Sequence, residues 1–299
     1  MKIAYLISAH TDAPQLKRLI NALHKDAEYF IHIDKKSDIN QFTSIIKGKN
    51  IHFLKERVDV RWGTILEVKY QMKLIAEAID HPTHFDRIFF LSGMDYPLWS
   101  NEHITEYLSE LGDKEILMGV NMLHPKTSEA QHNQYTTARP FFNFSFLSNK
   151  TNERIGIIAR KLLKAFGHKK SLTLPNGWQL YKGSAWWCIS QELAQCIADE
   201  YVNDKQLRDY FKSSFGSAET LIQTIAFNSS FKDKCIEFDG PYPGLAELTP
   251  MHFIDYEPVI KVMDESDYDR LIESGKMFTR KLLSGKSDKL VKMLEDGRK

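Results

Sequence analysis

Residues 3–34 read IAYLISAHTDAPQLKRLINALHKDAEYFIHID, and the fold turns on this stretch. Ile3 to Ser8 is an apolar run of strand length, and Tyr29 to Ile33 is a second. Between them Leu16, Leu19, Ile20 and Leu23 recur on one helical face, with Asp12 placed to cap the helix and Pro14 in its first turn. The spacing predicts a β-α-β unit, whose two strands must lie parallel. Ligands of open parallel sheets bind beyond the carboxyl ends of the strands, which is where His10 and Asp34 fall.

Working outward, the alternation continues. Ile51 to Leu54 reads as a strand, and Thr64 with Glu67 has capping-box spacing ahead of a helix bearing Leu66, Tyr70, Leu74, Ala78 and Ile79. Arg87 to Leu91 returns to the sheet and runs into Ser92-Gly93-Met94-Asp95-Tyr96-Pro97-Leu98, where Gly and Pro end regular structure and Asp95 reaches the rim occupied by Asp34. Asn101 can cap the helix carrying Ile104, Tyr107, Leu108 and Leu111, and Ile116 to Val120 is the next strand. The first 120 residues therefore predict an α/β fold, a central, mostly parallel sheet flanked by helices.

From His124 to Phe146 the period breaks into a polar, aromatic excursion expected to be a functional loop. A helix with Ile155, Ile158, Leu162 and Phe166 follows, then a strand Ala185 to Ile189, a helix Gln191 to Tyr201, and a helix starting near Ser217 with Leu221, Ile222 and Ile225 inward. The tail after Asp264 is expected to be helical and charged. No repeat or linker interrupts the chain, so a single domain, 1–299, is expected, with 1–120 as its nucleotide-binding half and 121–299 as its acceptor and catalytic half.

Composition narrows the function. With 40 Lys plus Arg against 39 Asp plus Glu, the 299 residues carry a net charge of +1, too little to hold a polyanion, so nucleic-acid binding is not expected. Apolar residues at 42% and aromatics at 12% exclude disorder, and no apolar run approaches the roughly 20 residues of a membrane span. The amino terminus lacks signal-peptide features, and Cys188, Cys196 and Cys235 show no disulfide or zinc spacing, so a cytoplasmic protein with reduced thiols is expected. Lysines near the carboxyl terminus, Lys286, Lys289 and Lys292, offer a peripheral contact to an anionic membrane.

There is no GxGxxG, GxxxxGK, HExxH or GxSxG motif. The Asp-x-Asp triplet Asp267-Tyr268-Asp269, which could hold a divalent metal, stands ahead of Leu271 and Ile272, where acids serve as first-turn charge. A nucleotide-compatible half, carboxylates at strand ends and a basic tail suit transfer from an activated nucleotide. Glu219, two residues after Ser217, reads by itself as a helix-start acid; Arg280 and Lys281 read as a solvated charge pair, and Trp62, Trp186 and Trp187 either as core or as stacking surfaces for sugars. Only one of Trp186 and Trp187 can face a cleft, since neighbouring strand residues point oppositely.

Ordered blocks give these residues a context: Ala4-Tyr5-Leu6-Ile7 with His10, Ile31-His32-Ile33-Asp34-Lys35-Lys36, Trp62-Gly63, Leu91 to Leu98, Gly183-Ser184-Ala185-Trp186-Trp187, Ser217-Ala218-Glu219 with Gln223-Thr224, and Met277-Phe278-Thr279-Arg280-Lys281. In that order they resemble the core-2/I-branching β-1,6-N-acetylglucosaminyltransferases and the related peptide O-xylosyltransferases. The resemblance implies a GT-A-like fold, inverting transfer from a UDP-sugar to a glycan hydroxyl, and donor binding without a divalent metal or other cofactor. It implies Glu219 as general base, Lys281 with Arg280 on the diphosphate, Asp34 on the uracil, and His10 and Asp95 on the donor. Lys261 is the nearest candidate for a second diphosphate clamp. The acceptor is implied to meet the excursion and the loop after the catalytic helix, which offer Glu129, Arg139, His252, Asp255 and Tyr256, with Trp186 as a stacking surface. N-acetylglucosamine is the first donor sugar expected and xylose the second, in surface or exopolysaccharide synthesis. A carbohydrate-binding protein that keeps the fold without transfer, and a glycoside hydrolase with paired carboxylates, are the rival classes.

Overall fold

The computed structural model describes residues 1–142, 144, 146–256 and 259–298. Eleven strands are assigned among them: β1 (Ile3–Ala9), β2 (Glu28–Ile33), β3 (Ile51–Phe53), β4 (Arg87–Ser92), β5 (Asp95–Pro97), β6 (Met118–Asn121), β7 (Tyr181–Gly183), β8 (Trp187–Ile189), β9 (Ile236–Phe238), β10 (His252–Ile254) and β11 (Phe278–Arg280). The main sheet has the order β3-β2-β1-β4-β8, parallel except for β8, which runs antiparallel along β4. The expected α/β architecture, a mostly parallel sheet flanked by helices, is the one found.

Alternation along the strands explains the layers. Tyr5, Ile7, Tyr29, Ile31, Phe89 and Leu91 point to one face and meet Leu16, Leu19, Leu23, Ile104 and Leu108. Leu6, Phe30, Ile88 and Phe90 point to the other and meet Leu74, Ile75, Leu193, Ile197, Leu221 and Ile225. Both faces are covered, so the strands read as continuous apolar runs rather than as alternating ones.

Two small sheets stand beside the main one, β10-β11-β5 and β7-β6-β9. They correct several expectations. Asp95 to Pro97 is a strand rather than irregular chain, because it pairs antiparallel with Phe278 to Arg280. The tail is accordingly not all helical: Arg280 ends β11, and among the described residues of the tail only Tyr268–Glu273 and Asp288–Gly297 are α-helical. Ser100, not Asn101, caps the helix Asn101–Leu111, accepting from His103 N. Thr64 caps the helix Ile65–Ile79, yet the Glu67 carboxylate accepts from Gly63 N at 2.6 Å instead of closing the capping box on Thr64. The excursion, outside residues 143 and 145, is partly helical over Glu129–Thr136.

Candidate active site

A cavity of about 580 Å³ opens at the carboxyl ends of β1, β2 and β4. Ser8 enters its wall from β1, His10 and Asp34 from the residues that directly follow β1 and β2, and Ser92 from β4. The lining also includes Glu67 and Tyr70 from the helix Ile65–Ile79, Trp186 from the approach to β8, Glu219, Tyr256, and Arg280 from β11. Trp187 is fully buried in the core, so the adjacent pair divides as strand geometry requires.

Glu219 does not start a helix as expected. Residues Ser217–Glu219 form a single 3₁₀ turn entered through Gly216 at φ 58, and the α-helix Leu221–Phe227 begins only afterwards. Ser217 caps nothing; its hydroxyl donates to the Phe211 carbonyl at 3.0 Å. The turn projects the Glu219 carboxylate into the cavity, where Lys182 Nζ from β7 donates to Oε2 at 2.5 Å. Lys182 is buried, so this carboxylate is its counter-charge. Sequence reasoning missed Lys182 because nothing in a Tyr-Lys-Gly strand marks its lysine as inward.

Asp95 lies one step behind the wall and not in it. It is completely buried, and its oxygens accept from Ser92 N and Oγ at 2.7 Å each, from Trp186 Nε1 at 3.2 Å and from His252 Nε2 at 3.2 Å, with Arg280 Nη1 3.2 Å away. Burial alone would raise this carboxyl, but the His252 and Arg280 contacts and the Ser92 bonds prevail and hold it below its usual range. Asp95, expected on the donor, and His252, expected near the acceptor, are thus both buried, and Asp95 bonds Arg280 and Trp186 as well as His252. The Arg280 guanidinium also lies 5.2 Å from the Trp186 ring centre.

Asp34 is engaged on both oxygens by Lys36, through the backbone N–H at 2.9 Å and Nζ at 2.9 Å, while it borders the cavity. His10 is held below its ordinary pKa by burial and by the charges of Arg280, Lys281 and Lys36, against the opposing pull of Asp34. Lys281 thus acts on the cavity electrostatically, although its side chain is not part of the wall. Lys261 is drawn elsewhere: its Nζ meets the buried Asp267 at 2.6 Å, and Arg270 meets the same carboxylate at 3.3 Å. Asp267 of the Asp-x-Asp triplet is consequently an anchor for two cations and closes the turn at Asp264. Asp255 pairs with Arg270 at 3.1 Å.

Glu67 is the second functional candidate that sequence reading missed, since its spacing had an adequate local explanation. Burial first, and then the nearby negative charge of Glu219, outweigh the Gly63 N–H bond and raise its carboxyl to about 7. The cavity continues past Trp62, Gly63 and Phe215 into a groove of about 470 Å³ lined by Arg61, Arg139, Phe142 and Arg160. Arg139 lies there with its guanidinium 3.9 Å from the Phe215 ring centre, and Trp62 is 81% exposed at the mouth. Glu129, on the helix Glu129–Thr136, is not among the groove's described walls. Among the described residues, the one grouping with metal-ligand geometry is Glu28, His52 and His81, at the opposite, amino-terminal end of the strands.

A family model described as Core-2/I-Branching enzyme matches residues 3–255. Among curated relatives, a xylosyltransferase of Ciona intestinalis is 24% identical over 247 residues, covering 80% of this chain and 26% of that protein. Human xylosyltransferase 2 is 24% identical over 238 residues, covering 77% and 25%. The chain spans about a quarter of the length of these relatives. Among solved structures, an active-site mutant of LgtC aligns over 98% of this chain and 95% of its own at 9% identity, with a TM-score of 0.41.

Proposed function

We propose that the chain, which belongs to the Core-2/I-Branching enzyme family, is a GT-A-like inverting glycosyltransferase that moves a sugar from a UDP donor to a hydroxyl of a glycan acceptor. The observation that carries this reading is one cavity presenting Glu219 and Arg280 together, with an aromatic groove leading away from it. The acceptor hydroxyl attacks the anomeric carbon as the bond from that carbon to the diphosphate oxygen breaks. Glu219 takes the hydroxyl proton, and UDP leaves with the bonding electron pair. Lys182 fixes the carboxylate, so that the base is aimed before the acceptor arrives.

Arg280, braced by Asp95 and Trp186, stabilises charge on the departing diphosphate, with Lys281 adding to the local positive field. This pair takes the part of a divalent metal. Asp34 and His10 meet the nucleotide at the strand ends, as ligand placement in parallel sheets favours. Arg139, Tyr256 and Trp186 border the acceptor's path. UDP-N-acetylglucosamine and UDP-xylose are the two donors to compare, the second because the curated relatives are named xylosyltransferases.

The test is UDP release by wild type and Glu219→Gln with both donors, mixed glycan acceptors and excess chelator. Acceptor-dependent release that survives chelation and falls at least 100-fold in the variant is expected, on the order of a lost general base. Unchanged release by Glu219→Gln removes the assignment of the base, and release only with added manganese removes the metal-free mechanism.

A further inference from the structure

The helix Asn149–Ala165 is attached to the protein by a narrow face. Buried Asn152 exchanges hydrogen bonds with the Phe144 backbone, donating to its carbonyl and accepting from its N–H at 3.1 Å each, and Gly156 lies against the Pro140 carbonyl. Off that face the helix exposes a stripe that a water-facing helix does not need. Ile158 is 58% exposed, Leu162 53% and Phe166, just past the last turn, 85%. At about 100° per residue these three fall within roughly 80° of one another. Phe146, beside the start of the helix, is 80% exposed.

Charge borders the stripe. The helix carries Lys150, Arg154, Arg160, Lys161 and Lys164 against the single acid Glu153, in a chain whose net charge is only +1. Lys150, Arg154, Lys161 and Lys164 occupy the next sector, all exposed and, among the described residues, without an ion pair. An exposed apolar stripe flanked by uncompensated cations is the pattern of a helix that lies in the headgroup plane of a bilayer. A second copy of this chain would set cations against cations, which disfavours self-association through this face.

We infer that the helix Asn149–Ala165, with Phe166 and Phe146, docks the protein flat on an anionic lipid surface, inserting Ile158, Leu162 and Phe166 while the basic sector meets the headgroups. Asn152, Gly156 and Arg160 of the same helix border the groove that leads to Glu219, so docking brings that groove alongside the membrane. This surface differs from the carboxyl-terminal lysines expected from the sequence; there Lys289 pairs with Glu265 at 3.1 Å, and the helix Asp288–Gly297 buries its apolar face in the protein.

The test is co-sedimentation of the full chain with vesicles of phosphatidylcholine alone and of phosphatidylcholine with phosphatidylglycerol. Binding to the anionic vesicles only is expected, weakened by salt, reduced roughly tenfold or more by Leu162→Glu with Phe166→Glu, and reduced also by Lys161→Glu with Lys164→Glu. Both pairs are exposed, so circular dichroism and thermal midpoints should match wild type. Vesicle binding that persists in both variants, or no binding by folded wild type at low salt, overturns the inference. A dimer in sedimentation equilibrium that Leu162→Glu dissociates overturns it as well, because the stripe would then be a protein interface.

Discussion

At the scale of single residues, Asp34, Glu67 and Glu219 all line the cavity, and Glu67 is the one of these three without a cation among the described residues. Glu219 has Lys182; Glu67 has one backbone N–H and the field of Glu219. The consequence is a dependence of stability on pH. Because burial and Glu219 raise Glu67 from 4.5 to about 7 in the folded chain, its contribution is fully present below pH 4.5 and is lost as pH rises through 7. Glu67→Gln, which keeps the shape of the protonated acid, should match wild type near pH 4.5 and exceed it at pH 8. The expected gap is about 1–2 kcal/mol once partial exposure is discounted, or a few degrees of thermal midpoint. A gap of the same size at both pH values would show that Glu67 does not titrate in this range.

At the scale of elements, the pairing of Lys182 with Glu219 depends on two glycines. Gly119 of β6 stands opposite Gly183 of β7, and neither site has room for a side chain. A Cβ on Gly183 would overlap the Met118 carbonyl oxygen and crowd Gln223, and one on Gly119 would overlap the Phe227 ring. The closeness seats the helix Leu221–Phe227 against β7, where Gln223 Nε2 donates to the Ser184 carbonyl at 2.6 Å. Gly183→Ala should therefore cost about 1–3 kcal/mol in urea unfolding and lower turnover beyond what the folded fraction explains. A stable variant with full turnover would separate the glycine pair from the site. The same elements show what a sequence can and cannot disclose. Period and capping found β1, β2, β4 and their helices, since local preference and burial agree there. Asp34 was marked by its place at a strand end, whereas the roles expected of Glu219 and Arg280 came from the ordered blocks. β5, β7 and β11, three residues each, are strands only because distant partners pair with them, so no local pattern marked them. Lys182, Glu67 and the buried place of Asp95 were hidden for the same reason: each is defined by contacts across the chain, such as β5 with β11.

At the scale of the whole molecule, the two halves expected from the alternation do not correspond to separate sheets. Strands β4 to β6 meet strands that follow residue 180 in all three: β4 with β8, β5 with β10 and β11 through β11, and β6, which straddles residue 120, with β7 and β9. A fragment of residues 1–120 retains the parallel core β3-β2-β1-β4 but strips β8 from the edge of β4, where Phe89 and Phe90 are buried, and leaves β5 and β6 without partners. Exposed apolar edges of that kind aggregate rather than remain as native strands. The fragment also lacks Arg280, which Asp95 is built to hold, so it would leave a buried carboxylate without its guanidinium. It should show no cooperative thermal transition and no saturable UDP binding by calorimetry, while co-refolding with residues 121–299 should restore both in part. A cooperative transition and UDP affinity close to that of the full chain would instead make the first 120 residues an autonomous nucleotide-binding unit. That outcome would require the parallel core to tolerate loss of the β8 edge, which the complete burial of Trp187, Cys188 and Ile189 against β4 argues against.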